Sequence, residues 1–459
     1  MRLTFLAFLI FSFAADFAFA GDFPPVEQLP LRPGLPEPLV MFDGTPVKTK
    51  EDWFARRRPE IKALFEHYMY GKAPAPPNNV TGTVNRHDAA YFGGKGTMDE
   101  VMIHFGPPAT RPIHLLLVVP HKAQGGAPVF VALNFCGNHA VLNDPLIPLP
   151  ESWMSDHCKG CVDHRATDAG RGAQTPVWSL AYAVERGYAI ATFYDGDVDP
   201  DKNDPTDGVQ PHFYKPGQTQ PRPDDWGTIR AWAWGASRVV DYLRTRPDID
   251  PARICMTGHS RLGKTALVAA AFDERIALVV PHQSGTGGCA LSRGNDQETV
   301  ERINRVFPHW FDAVFKQFNR REDRLPVDQH LLMCLVAPRP IFDTEGIQDK
   351  WSNSDSAFRA LQAADKVYKF VGARGLVGSG LIRAEEPIDG PNFGDLVQYR
   401  RNTKHELSKD YWVRIFDYAD AYFARSAQNP RSSLRKIKPR APFVAVVHRA
   451  RHLQPVREK

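Results

Sequence analysis

Apolar and polar positions change rhythm several times along the chain, and each rhythm predicts an element. Over residues 51–68, Trp53, Ile61, Leu64, Phe65 and Tyr68 recur at helical spacing, an amphipathic helix ended by Gly71 and the prolines at 74 to 77. A proline-rich arm at residues 23–38 precedes it and is too interrupted for regular structure. Short β-prone runs follow at 100–105, 113–119 and 129–135, separated by Gly106-Pro107-Pro108 and Gly125-Gly126. Helices and short apolar strands then alternate: helix 177–186, strand 189–193, helix 226–244 and strand 254–257. Further strands are predicted at 277–280, 340–342 and 368–371. A closing helix at 409–425 carries Tyr411, Trp412, Ile415, Tyr418 and Tyr422 on one stripe. Strands first and β-α units afterwards predict an α/β sandwich, its sheet mostly parallel with antiparallel N-terminal strands.

Three glycine- and proline-rich segments, 136–174, 194–225 and 283–295, interrupt this alternation, and each follows a predicted strand. Loops of that length in a compact domain are usually functional. In an open parallel sheet ligands bind outside the carboxyl ends of the strands, so the three are expected around one site.

The site they would surround lies at Ile254-Cys255-Met256-Thr257-Gly258-His259-Ser260-Arg261-Leu262-Gly263-Lys264. A strand runs into a glycine, a serine follows, and residues 265–271 read as helix. That is the layout of a nucleophile elbow, with the second glycine one residue late at Gly263. The competing reading makes Ser260 a plain helix N-cap. A serine nucleophile needs a base and an orienting acid, in chain order Ser, Asp or Glu, His. The downstream histidines are His282, His309, His330 and His405; His405 alone lies in a polar loop after the last predicted strand and before the last helix. Asp343, Glu345, Asp349 and Asp355 follow the strand at 340–342, and position does not choose among them.

Composition adds bounds. At 459 residues and 43% hydrophobic the chain can bury a large core, and without an internal repeat or clean linker one domain over 21–428 is expected. Arg2, an apolar run over 3–19 and Ala18-Phe19-Ala20 before Gly21 describe a secretory signal at 1–20, hence export to the periplasm or medium. The run is shorter than the roughly 20 residues that span a bilayer, and no later stretch is long enough, so no membrane partner is expected once the signal is removed. The net charge of +5 is concentrated at the end: residues 430–459 hold nine Lys or Arg and one Glu, leaving −3 elsewhere. This basic tail, 429–459, is expected to be disordered and solvated, and it lacks the surrounding module that nucleic-acid binding needs. Cys136, Cys255, Cys289 and Cys334 sit in segments typical of buried thiols. In His157-Cys158-Lys159-Gly160-Cys161-Val162-Asp163-His164, a metal site would need a second ligand pair from farther along; a local Cys158–Cys161 disulfide or two surface thiols fit better.

The elbow Gly258-His259-Ser260-Arg261-Leu262-Gly263-Lys264 resembles that of the glucuronoyl esterases, carbohydrate esterase family fifteen, especially the bacterial branch. So do Asn134-Phe135-Cys136-Gly137-Asn138, Asp195-Gly196-Asp197-Val198-Asp199-Pro200, the segment 225–235, Asp273-Glu274-Arg275, Ser284-Gly285-Thr286-Gly287-Gly288, Phe307-Pro308-His309-Trp310-Phe311 and Leu325-Pro326-Val327-Asp328-Gln329-His330; the likeness runs from about Trp53 to Phe423. It implies an α/β-hydrolase three-layer sandwich and a secreted, monomeric serine esterase without metal or cofactor. The implied substrates are esters of (4-O-methyl-)glucuronic acid in glucuronoxylan, such as its links to lignin alcohols. Many fungal members carry a catalytic glutamate where this chain has Gln283, and bacterial members can place the acid after the next strand. The resemblance therefore implies Ser260, His405 and Asp349 as the catalytic set, with Glu345 as fallback, Arg261 at the oxyanion, and Lys264, Glu298 and Trp351 on the sugar. Thr175-Pro176-Val177-Trp178 departs from the family's Ser-Arg-Trp-Pro-like run and the segment around Cys158 and Cys161 looks inserted, which bears on substrate preference. The alternatives are an esterase of acetylxylan or another carbohydrate ester, and a member that binds polysaccharide without turnover.

Overall fold

The computed structural model describes residues 23–123 and 125–428; the expected signal at 1–20 and the basic tail at 429–459 lie outside the described residues. Ten strands form one sheet: β1 (Thr81–Ala90), β2 (Gly96–His104), β3 (Ile113–Pro120), β4 (Ala127–Asn134), β5 (Ala189–Tyr194), β6 (Ile249–His259), β7 (Leu278–His282), β8 (Ile341–Gly346), β9 (Leu381–Arg383) and β10 (Leu396–Arg401). Their spatial order is β1-β2-β3-β5-β4-β6-β7-β8-β10-β9. The pairs β1–β2, β2–β3 and β3–β5 are antiparallel, and all later pairs are parallel.

Alternation along the central strands divides the core into two layers. Leu115, Leu117, Val129, Val131 and Leu133 face the helices α1 (Arg58–Tyr68), α3 (Thr228–Leu243), α4 (Arg261–Phe272), α5 (Gln329–Val336) and α6 (Ser354–Val371). Their neighbours Leu116, Val118, Phe130 and Ala132 face α2 (Leu180–Arg186) and α7 (Lys409–Gln428), whose Trp412, Ile415 and Tyr418 are buried. With side chains on opposite faces each needing cover, β4 and β5 are buried throughout, and a three-layer α/β-hydrolase sandwich results.

Three expectations are corrected. Residues 368–371, read as a strand, end α6: Leu361, Ala364, Val367 and Tyr368 continue its buried stripe, and Gly372 closes it at φ 90°. Helical register overrides the β-propensity of Tyr-Lys-Phe-Val, and the last strands are instead β9 and β10. The edge strand β1 escapes an apolar-run search because Thr81–Ala90 is half exposed and polar along one face. Cys136 is no core thiol and Cys158 does not pair with Cys161; Cys136 and Cys158 form a disulfide, Cα atoms 5.5 Å apart, which ties the inserted segment to the end of β4, while Cys161 is free. Among the described residues no helix is long and apolar enough to cross a membrane.

Candidate active site

The elbow sits where β6 meets α4. Ser260 adopts φ 59° and ψ −125°, a left-handed-side conformation that a non-glycine residue keeps only when its surroundings over-determine it. Here the Ser260 N–H donates to His282 O at 2.9 Å, and its carbonyl accepts from the N–H groups of Gly263 and Lys264. Both glycines are steric necessities. A Cβ at Gly258 would stand 2.1 Å from the Leu262 carbonyl oxygen, and one at Gly263 would stand 2.8 Å from that of His282. The late second glycine thus marks where the helix crosses the strand backbone. The Ser260 side chain makes no capping hydrogen bond, which removes the plain N-cap reading and leaves its Oγ uncommitted.

Four residues beyond β10, His405 directs Nδ1 at Asp349 Oδ2, 2.5 Å away. The imidazole is 40% exposed and the carboxylate 4%, so the ring faces outward with a buried anion behind it. Asp349 Oδ1 accepts the backbone N–H groups of Trp351 and Ser352. Burial alone would raise the Asp349 carboxyl, but the bond and charge of His405 and the Ser352 N–H outweigh it, and it lies below its ordinary value.

The other candidates are occupied elsewhere. Asp343 and Glu345 are buried in β8, where Asp343 accepts from Gln398 and Glu345 from the Ser352 hydroxyl. Burial pushes Asp343 to about 6 and Glu345 well above its ordinary range. Asp355 pairs with Arg400 on the surface. His309 bonds Asp201, and His330 donates to Pro36 O.

Beneath His405 lies a row of imidazoles: the His259 ring is 4.4 Å from that of His405 and 5.0 Å from that of His282. His282 Nε2 lies 2.8 Å from Glu406 O, to which it donates, and its Nδ1 lies 2.8 Å from the Thr344 hydroxyl and 3.1 Å from the Thr344 carbonyl oxygen. Burial lowers it from 6.5 to about 4, against the favourable bond to Glu406. Between those values the unfolded chain holds a proton at this residue that the folded chain lacks, so its contribution to stability falls as pH drops from 6.5 toward 4. The change is up to ~3 kcal/mol. A His282→Gln variant, which cannot titrate, is therefore expected to lose less stability than the parent between pH 7 and pH 4.5. Denaturant midpoints at the two pH values check this; a constant difference between the proteins refutes it.

Arg261 opens α4, pairing its Nη1 with Asp201. Phe135, Phe307 and Trp310 surround the guanidinium at 5.3 to 5.6 Å. Asp201 Oδ1 also accepts from His309 at 2.9 Å and Trp310 at 2.7 Å. Although burial opposes it, these bonds and the arginine charge hold its carboxyl below the usual range. Arg261 Nε is buried without a hydrogen-bond partner. Sequence reading passed over Asp201; its signal was an acidic residue one position beyond the quoted Asp195–Pro200 stretch, in a long loop after β5.

Lys264, Glu298 and Trp351 are far apart in sequence and joined in space. Lys264 Nζ donates to Ser284 O, Thr286 O and Glu298 Oε2 at 2.7 to 2.9 Å. Glu298 Oε1 accepts from Trp351 Nε1 at 2.5 Å. Burial lowers Lys264 and raises Glu298, each opposed by the other's charge. All three ammonium protons are spent on the protein, whereas Trp351 is half-buried with one face under the Arg302 guanidinium, 4.2 Å from its ring. Arg302, too, was not singled out from sequence; it lies on the helix Val300–Val306 and has no motif to mark it.

The family model described as glucuronyl esterase of fungi matches residues 174–372. A carbohydrate esterase from an unknown prokaryotic organism is 41% identical over 397 residues, 86% of this chain and 90% of the relative. The 4-O-methyl-glucuronoyl methylesterase of Schizophyllum commune is 31% identical over 350 residues, 74% of each chain. Among solved structures, a promiscuous family-fifteen carbohydrate esterase from a marine bacterial metagenome superposes with TM-score 0.76 at 40% identity, covering 86% of this chain and 98% of that one. A glucuronoyl esterase from Solibacter usitatus gives 0.78 at 36% identity, with 86% and 99% covered.

Proposed function

Since the chain belongs to the glucuronoyl esterases of carbohydrate esterase family fifteen, we propose that it cleaves esters of (4-O-methyl-)glucuronic acid in glucuronoxylan through a serine acyl-enzyme. It is a carboxylic ester hydrolase acting on glucuronoyl esters. His405 takes the Ser260 proton through Nε2, which has no protein partner among the described residues, and Ser260 Oγ attacks the ester carbonyl. The oxyanion forms beside the Arg261 backbone N–H and guanidinium, a fixed cation in a mostly buried setting. Collapse expels the alcohol, which takes the proton from His405. Water, deprotonated by the same imidazole, then releases the glucuronic acid. Asp349 holds the ring and stabilises its charged form. Trp351 and Glu298 line the sugar site, with Lys264 fixing Glu298. The observation that carries this reading is the His405–Asp349 contact above an elbow whose serine hydroxyl is uncommitted.

The same reading takes residues 21–428 as one catalytic domain, exported after removal of 1–20 and acting as a monomer on polysaccharide, with no nucleic-acid or membrane partner. The likeness to a promiscuous family-fifteen esterase from a marine bacterial metagenome favours a second reading in which acetylated carbohydrates are also cleaved. Comparing kcat/KM for a benzyl ester of glucuronic acid with that for an aryl acetate decides. At least a tenfold preference for the glucuronate is expected; a preference for the acetate overturns the first reading.

A further inference from the structure

Immediately after β7, Gln283 lies in the left-handed region at φ 46° and is buried to 1% exposure. Like Ser260, it is a non-glycine residue held in a costly conformation, which requires compensation from its contacts. Its backbone N–H donates to Thr344 O at 2.9 Å. The side chain reaches the loop that carries His405. Nε2 donates to Lys404 O at 3.0 Å, and Oε1 accepts the Glu406 N–H at 2.9 Å. These are the residues on either side of His405. Oε1 also lies 3.2 Å from His259 Nε2, so that nitrogen carries its proton toward Gln283. A backbone carbonyl only accepts and a backbone N–H only donates, which fixes the orientation of the amide without ambiguity.

Gly346, at the end of β8, keeps room for this arrangement. A Cβ there would stand 2.5 Å from Gln283 Nε2 and 2.7 Å from the carbonyl oxygens of Lys404 and Thr403. On the far side, His282 Nε2 donates to Glu406 O at 2.8 Å. The base therefore sits on a loop whose flanking peptide groups are held by one carboxamide, while Asp349 holds only its ring.

We propose that Gln283 is the positioning residue for the catalytic base: its carboxamide clamps Lys404 and Glu406 and joins them to His259, beside the nucleophile. The clamp needs a donor and an acceptor on one planar group at this spot. An ionised carboxylate has no donor and would face the Lys404 carbonyl with like partial charge, whereas a protonated carboxyl could restore both bonds. Since the inference rests on His405 as base, His405→Ala is measured alongside.

The test measures kcat and KM on the benzyl ester of glucuronic acid, per active site counted by exhaustive fluorophosphonate labelling. Gln283→Met keeps the volume and loses the bonds. It is expected to lower per-site kcat at least tenfold with KM within about twofold, whereas a purely structural role would lower the labelled fraction and leave per-site kcat unchanged. Gln283→Glu supplies a second readout and decides alone if the methionine variant does not fold. Its kcat relative to the parent is expected to rise at least threefold from pH 8 to pH 5.5, as the buried carboxyl gains the proton it donates to Lys404 O. The titratable groups nearest position 283 are His259, at 3.2 Å, its chain neighbour His282, and Lys404, His405 and Glu406 of the clamped loop; the parent carries all of them and is measured at each pH as the reference. A per-site kcat of Gln283→Met within twofold of the parent, or a flat ratio for Gln283→Glu, overturns the clamp. Activity retained by His405→Ala overturns the base assignment instead.

Discussion

Ser260→Ala is expected to lower kcat on a benzyl ester of glucuronic acid by at least ~10⁴-fold, about 5.5 kcal/mol of barrier, and to abolish fluorophosphonate labelling. The size follows from the role: without Oγ no acyl-enzyme forms, and His405, Asp349 and Arg261 can only act on water placed by chance. Stability is expected to change little. The Ser260 hydroxyl makes no capping bond, and alanine meets the same strained φ of 59° as serine. Substrate binding should persist because the residues proposed to hold the sugar are untouched. Circular dichroism and a ligand-binding isotherm distinguish this outcome from misfolding, and a variant with full activity removes Ser260 from the mechanism.

Asp349→Asn comes next in expected effect, a fall in kcat of roughly 10³- to 10⁴-fold with KM within a few-fold. The backbone dictates which way the asparagine faces. Trp351 and Ser352 both point N–H groups at Oδ1, so the amide oxygen must occupy that place and its NH₂ must face His405 Nδ1. Nδ1 then becomes the acceptor, the proton moves to Nε2, and the ring can no longer take one from Ser260. Steady-state kinetics at neutral pH check this. If Asp349→Asn keeps more than a tenth of the parent kcat, the acid lies elsewhere and Glu345→Gln becomes the decisive variant. The geometry argues against that outcome: Glu345 is turned to Ser352 and buried beside Asp343.

The fold was legible in the sequence wherever burial and local preference agree. The elbow strand, α3, α4, α7 and the buried strands β3 to β5 show their periods because every turn or alternate residue faces a core. Where the two disagree the reading failed. At 368–371 a β-prone quartet is helical because α6 packs through it, and β1 is a half-exposed edge strand without an apolar run. His405 was singled out because it follows the last strand, although the strand assumed was the wrong one; β10 ends four residues before it and leaves the topological argument intact.

By itself, the sequence determined the chemistry available: a serine in an elbow with its two required glycines, a polar-loop histidine, and a resemblance that narrowed four acids to Asp349. Those features are local or ordered along the chain, so one dimension suffices to record them. Only the tertiary structure decided which groups meet. It paired Cys136 with Cys158 rather than Cys158 with Cys161, set Asp349 against His405 while turning Glu345 away, and put Asp201 on Arg261. It also closed Lys264, Glu298 and Trp351 into one bonded set and brought Gln283 to both flanks of His405. Apart from the disulfide, which closes within the one segment after β4, each of these contacts bridges segments that follow different strands. Their partners are set by the order in which those strands lie in the sheet, and that order arises from long-range packing.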